Sequence, residues 1–374
     1  MKKADLIVIG GGCIGMAIAG RLAEDLERVL LFDRDYLGRE ATHASGGMLA
    51  PIMELEFEEF DLLELGVASL NRYPDFVRRL QSVVDMNLDY RREGTIFTAL
   101  QPRQASELNR LYEYQERIGL EVEKISAARL RGIEPLLAEE VREGLLVESE
   151  QKIDNRKLST ALALYCREQG VEIHSNEPVV DIEYTADGNI RAVRSELGEY
   201  PLEKLLVAAG AWSGMLPGLE EKDRLPFRPV KGQAAAVGID PGFAPDHVIQ
   251  TPDVYCVPHY PDRLLLGATM EEKGFESKER VGGAYDLLFA AAEVLPGIKE
   301  QPFLESWVGH RPATVDSLPV IGPSSATPNL FFAAGHYRNG ILLVPVTVEL
   351  VREIILADNI PEQAEPFLPQ RFQK

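Results

Sequence analysis

The chain has 374 residues, 45% of them hydrophobic and 26% charged, with a formal net charge of −20. That length suits two domains, or one large α/β unit with insertions. So acidic a surface repels nucleic acid and anionic membranes, and an anionic substrate would have to be held by a local cation.

The N-terminal stretch MKKADLIVIGGGCIGMAIAG has the outline of a secretory signal, with two lysines, an apolar run and an A-x-A. Asp5 and the glycine cluster oppose that reading, and no other apolar run is long enough to span a membrane. The same residues read better as strand, glycine turn, helix and strand. Leu6–Ile9 is a branched apolar run, as a buried parallel strand requires. Ile14, Ile18, Leu22 and Leu26 share one helix face, and Val29–Phe32 forms the next strand, ending at Asp33.

Gly10, Gly12 and Gly15 make G-x-G-x-x-G. The first permits the tight turn, the second lets backbone approach a pyrophosphate, and the third allows close helix–strand packing at a helix N-terminus that favours anions. Asp33 stands where a carboxylate would accept hydrogen bonds from an adenosine ribose. This unit predicts a dinucleotide cofactor without separating NAD from FAD.

Farther on, HASGGMLAP (residues 43–51) has the small residues that let backbone pass beside a planar ring. Residues 155–173 read as an amphipathic helix, with Leu158, Leu162 and Tyr165 on one face, followed by a strand. Two segments turning at Asp187-Gly188 read as a β-meander, and EKLLVAAGAWSG as a buried strand where the α/β unit resumes. Leu330–Ala334 is a strand, Gly335–Gly340 a tight loop, and the following helix has Val348, Ile354 and Ile355 on its apolar side. A second strand–loop–helix would place another helix N-terminus near the sheet's C-terminal edge, which suits the electron-rich pyrimidine end of a flavin. In HRPATVDSLPVIG, Arg311 is a cation beside an apolar run, a candidate for that local cation.

Cys13, Cys166 and Cys256 stand far apart with no CxxC, which predicts free thiols in a reducing, cytoplasmic compartment. The six histidines show no HExxH or comparable spacing, so no metal site is predicted. His310 and His336 each stand beside a glycine and are read as structural.

Seven stretches together, VIGGGCIG, ASGGML, VAAGAWSG, YCVP, LLLGATM, HRPATVDSLPVIGP and AAGHYRNGILLVP, resemble the D-amino-acid oxidase superfamily of flavoproteins. Within it the chain is most similar to the bacterial glycine oxidases that serve the thiazole branch of thiamine synthesis. The resemblance implies an α/β fold with a Rossmann-like, discontinuous FAD-binding domain (residues 1–86, 145–215 and 320–374). A substrate domain on a mixed sheet (87–144 and 216–319) would accompany it. It implies oxidation of glycine, small D-amino acids or N-methyl amines to imines, with O2 reduced to H2O2. The substrate carboxylate would meet Arg311 and Tyr255, with Arg338 beside the flavin and Met48 and Met270 lining the pocket. A second tyrosine of some members is replaced here by Gln250.

The resemblance sets FAD against Gly10, Gly12, Cys13, Ile14, Gly15, Asp33, Arg34, Thr42, Ser45, Gly46, Gly47, Met48 and Val179. It continues through Ala209, Gly210, Gly335, His336, Arg338, Asn339, Gly340, Ile341 and Leu342. Covalent flavin in the superfamily is attached through a cysteine near the ring. No cysteine follows Cys256, so non-covalent FAD is expected. Expected partners are the small amino acid and O2, with neither nucleic acid nor membrane; a homo-oligomer stays open. Three alternatives also stay open: a D-amino-acid dehydrogenase feeding a quinone, an RNA-modifying flavin oxidoreductase, and a non-catalytic nucleotide-binding module.

Overall fold

The structure is a computed structural model and describes residues 2–54 and 59–372. Among these residues, two eight-stranded sheets carry the fold, with a two-stranded pair, Met48–Leu49 with Gln151–Lys152, beside them.

The first sheet is centred on Ala4–Ile9, which pairs in parallel with Val29–Phe32 on one side and Glu199–Val207 on the other. Its period of two is used on both faces. Leu6 and Val8 pack into one core with the helices Cys13–Leu22, Asn155–Glu168 and Val344–Ala357. Ile7 and Ile9 enter a second core with Phe32, Val193, Tyr200 and Val207. Burial on both faces explains why the strand is an unbroken apolar run. The predicted first helix closes at Leu22 rather than continuing; Leu26 reaches the same core through the following turn, its N–H bonded to the Leu22 carbonyl at 2.9 Å.

The meander is present as Val179–Tyr184, Ile190–Ser195 and Glu199–Val207, all antiparallel. Its third strand and the buried strand expected after it are one element. The beginning of Glu199–Val207 pairs with the meander, and from Leu202 onward it joins Ala4–Ile9 in parallel. Leu330–Ala334 then adds in parallel to its far side, with Val320–Pro323 antiparallel at the edge. Strands from the beginning and the end of the chain thus lie in one sheet, separated only by Glu199–Val207.

The second sheet runs, in order, Phe303–Ala313, Arg228–Gly238, Arg263–Gly267, Tyr255–His259, Val248–Gln250, Thr95–Ala99, Glu143–Val147 and Glu123–Ser126. It is mixed, since Val248–Gln250 and Thr95–Ala99 are parallel while the other pairs are antiparallel. Glu143–Val147 belongs to this sheet, so a boundary drawn at residue 145 crosses a strand.

Candidate active site

A single cavity of about 690 Å³ runs from the C-terminal ends of the first sheet's strands to the face of the second sheet. That volume lies in the range of small-molecule and cofactor sites. Its walls hold every residue named from the sequence except two. Gly15 lies behind the wall, where a Cβ would collide with the Gly10 carbonyl oxygen, so it serves the helix–strand packing expected of the third glycine. Leu342 is 2% exposed and packs in the core beneath the loop.

The nucleotide end is made largely of backbone. Gly10 has φ of 115°, a left-handed conformation that glycine adopts freely, and a Cβ there would strike the Ala208 carbonyl. Gly12 opens onto the cavity, with only the Thr42 hydroxyl close to its would-be Cβ. Asp33 accepts from the Gly11 N–H at 2.6 Å and the Asp35 N–H at 2.8 Å. Burial pushes its carboxyl upward and these two donors oppose the shift. The Cys13 N–H at the helix start donates to Thr42 Oγ1 at 3.0 Å. Arg34 lies 3.9 Å above the Trp212 ring and bonds Glu40 at 3.0 Å. His310, with Arg34, holds Glu40 below the usual carboxylate range.

The segment from Thr42 to Gly47, which begins in the short helix Glu40–Ala44, lines the cavity and is pinned at several points. Asn155 Nδ2 donates to the Thr42 and His43 carbonyls at 2.8 and 3.0 Å, Trp307 Nε1 to Ala44 at 3.3 Å, and the Ile153 N–H to Gly47 at 2.9 Å. His259 Nε2 lies 3.0 Å from the Gly46 carbonyl; burial lowers its pKa to about 4, so the ring is neutral and donates from Nε2. On the opposite side, loop 335–341 contributes His336, whose pKa burial lowers to about 3. Its neutral ring is 3.0 Å from Thr347 Oγ1.

The substrate end is made of side chains from distant segments. Arg311 lies on the strand Phe303–Ala313 and reaches diagonally across Gly232 of the neighbouring strand, where a Cβ would overlap the guanidinium. It donates from Nη1 to the Thr269 carbonyl at 3.1 Å and forms no ion pair among the described residues. The Tyr255 ring packs over Gly267 and Gly46. Burial raises the pKa of its hydroxyl, while the Arg311 cation pulls it down and the Glu54 carboxylate pushes it up. Tyr255, Arg311 and Glu54 all line the cavity.

Arg338 donates from Nη2 to the Glu54 carbonyl at 3.2 Å and faces the Glu59 carboxylate at 3.7 Å. Met48 lies beside Gln250, and Met270, 57% exposed, lines the cavity against Tyr337. Sequence reasoning did not single out Glu54, Trp212, Gly232 or Gly267. Glu54, six residues beyond Met48, had a local signal in its closeness to the ASGGML stretch; the others depend on strand register.

These features suit a two-ended cofactor with a carboxylate subsite at one extremity, and known proteins agree. A family model described as "FAD dependent oxidoreductase" (DAO) matches residues 5–354. The chain is 31% identical over 366 residues to a glycine oxidase of Geobacillus kaustophilus, covering 98% of this chain and 96% of that protein. It is 33% identical over 377 residues to a bifunctional protein ThiO/ThiG of Synechocystis sp., covering 99% of this chain but only 54% of that longer protein. The crystal structure of glycine oxidase from Geobacillus kaustophilus superposes with a TM-score of 0.91 at 30% identity, covering 99% of both chains. The chain belongs to the DAO family of FAD-dependent oxidoreductases.

Proposed function

We propose that this protein is an amino-acid oxidase acting on glycine and small D-amino acids or N-methyl amines such as sarcosine. The imine product hydrolyses to a 2-oxo acid and ammonia or an amine, O2 is reduced to H2O2, and the product feeds thiamine thiazole synthesis. One observation carries the reading: Arg311 is a cation without an ion-pair partner among the described residues, in the wall of a cavity whose other end is a dinucleotide cradle. The glycine oxidase and ThiO/ThiG relatives support the reaction and the thiamine link.

FAD fits the residues present. Gly12 leaves a recess at the cradle, Asp33 lines the adenosine end, and segments 42–47 and 335–341 flank the space for a planar ring. When bound, FAD supplies the hydride acceptor. The chain's own work is positioning. Arg311 would take the substrate carboxylate in a bidentate, charge-assisted pair, with Tyr255 donating to the same group. The surrounding apolar wall excludes water and strengthens that pair. Non-covalent attachment is supported by the cysteines: burial pushes the thiols of Cys166 and Cys256 up to about 12, where they are poor nucleophiles. We propose that the residues of the first sheet hold the cofactor and those of the second the substrate.

The test is turnover of the purified yellow protein in aerated buffer with glycine, sarcosine or D-alanine. Steady peroxide formation without added dye is expected. Turnover only with quinone or an artificial acceptor would replace the oxidase reading with a dehydrogenase. Acid precipitation should release the colour into the supernatant; colour kept in the pellet would mean a covalent link.

A further inference from the structure

Among the described residues, five carboxylates line the cavity, and four are engaged by charged groups or multiple donors. Asp33 is held by two backbone N–H groups, and Glu40 by Arg34 with His310 nearby. Glu177 meets His174, Ser195 and Tyr200, and Asp253 meets Arg103 and Gln104. Glu54 differs. Its carboxylate accepts from Gln250 Nε2 at 2.7 Å, and a neutral amide orients a charge without cancelling it. Gln250 is itself 5% exposed, so this partner is fixed. Arg338 donates to the backbone carbonyl of Glu54 and faces the Glu59 carboxylate.

We propose that Glu54, oriented by Gln250, is a specificity-determining residue: its carboxylate sets a negative pole across the substrate end from Arg311 and restricts substrates to amino acids whose only anionic group is the α-carboxylate. This deepens the proposed function and rests on Arg311 as carboxylate anchor. A zwitterion such as glycine, sarcosine or D-alanine presents its carboxylate to Arg311 and its amine toward Glu54. A second carboxylate, as in D-aspartate or iminodiacetate, would face Glu54 in a site that excludes water, where like charges repel strongly. Arg311, Glu54 and Tyr255 all line this cavity, and the two charges act in opposite directions on the Tyr255 hydroxyl.

The experiment uses the FAD-loaded protein and its Glu54→Gln variant, which keeps the side chain's shape and removes its charge. Two measurements are made. The first is the ratio of kcat/KM for iminodiacetate to that for sarcosine. The second, independent of turnover, is the binding of acetate and of malonate, read from the flavin's visible spectrum. Both the substrate ratio and malonate affinity relative to acetate should rise on the order of 10-fold in Glu54→Gln, the scale of one removed like-charge contact. FAD content should not change. Unchanged ratios, with acetate binding still lost in Arg311→Ala, would overturn the role of Glu54 and leave the anchor intact. Acetate binding that survives Arg311→Ala would overturn the anchor, and this inference with it.

Discussion

The two ends of the cavity are built from different materials. At the nucleotide end, recognition is by backbone. Gly10 and Gly15 bring strand, turn and helix closer than any side chain permits, and Asp33 is fixed by main-chain donors. At the substrate end, recognition is by charge, with Glu54 drawn from a segment more than 200 residues away in sequence from Tyr255 and Arg311. The backbone end tolerates no added atoms but carries little chemical information. The side-chain end accepts substitution at the cost of specificity. Changes at the first should therefore cost cofactor and stability together, and changes at the second should cost catalysis alone.

The largest effect is expected from Gly15→Ala. Its Cβ would meet the Gly10 carbonyl, a rigid backbone atom, so the helix must move away from the strand. Overpacking of this kind costs about 1–3 kcal/mol or more, and the displaced turn no longer forms the cradle. The variant should be purified nearly colourless with a lowered Tm. A yellow variant of parental Tm would break the contrast between the two ends.

Next comes Arg311→Ala. Removing a cation from a buried carboxylate pair costs about 3–5 kcal/mol, so kcat/KM for glycine should fall on the order of 10²–10⁴-fold. FAD content should stay at the parental level. Lysine should recover part of the loss because it lacks the planar fork. A primary amine without a carboxylate should be a poor substrate of both proteins and lose little more in the variant. An alanine variant that keeps its kcat/KM but sheds FAD would assign Arg311 to the fold instead.

This division explains what could be seen in the sequence. Gly10, Gly12, Gly15 and Asp33 lie within one strand–turn–helix–strand unit, so local spacing was enough to place them. Glu199–Val207 shows the limit: its two halves were read separately, because the switch from antiparallel to parallel neighbours leaves no mark on an apolar run. At the substrate end the residues themselves offered only Arg311, a cation beside an apolar run, and Tyr255 and the rest came through the resemblance to a known family. Nothing local to Gly232 says that Arg311 will lie across it, since the contact depends on the register between two strands some 80 residues apart. Glu54 went unremarked for a related reason: one acid among 59 gains meaning only when Gln250 and Tyr255 are brought to it.

Gly232 therefore offers a smaller and more selective perturbation. It lies in an ordinary strand, so alanine there brings no conformational penalty, only a methyl beneath the guanidinium. Arg311 should be displaced without losing its charge. KM for glycine should rise about 10-fold, one misplaced charge-assisted contact being worth roughly 1.5 kcal/mol, while kcat and FAD content change less. A Gly232→Ala enzyme with parental KM would show that the guanidinium has room elsewhere and that register does not set the anchor.

The smallest effect on turnover, and the sharpest probe of how the substrate end is supported, concerns Glu150. This residue is fully buried and accepts from the Ile52 and Met53 N–H groups through one oxygen, at 3.0 and 2.7 Å, just before Glu54. Among the described residues its other oxygen has no hydrogen-bond partner, and burial raises its pKa from 4.5 to about 8. At neutral pH the folded protein therefore holds a proton there that the unfolded chain has released. The more protonated state is the folded one, so stability falls as pH rises from about 4.5 to about 8, by at most about 1.4 kcal/mol per pH unit. Glu150→Gln keeps the accepting oxygen and cannot ionise. Relative to the parent, its Tm should be nearly equal at the acid end of this window and higher at the alkaline end, by the equivalent of a few kcal/mol. Turnover at neutral pH should be close to parental, because the glutamine resembles the protonated acid already present. Thermal melts of the two proteins across the window decide the matter. Parallel curves would mean that Glu150 is ionised in the fold and that the segment leading to Glu54 rests on a buried charge.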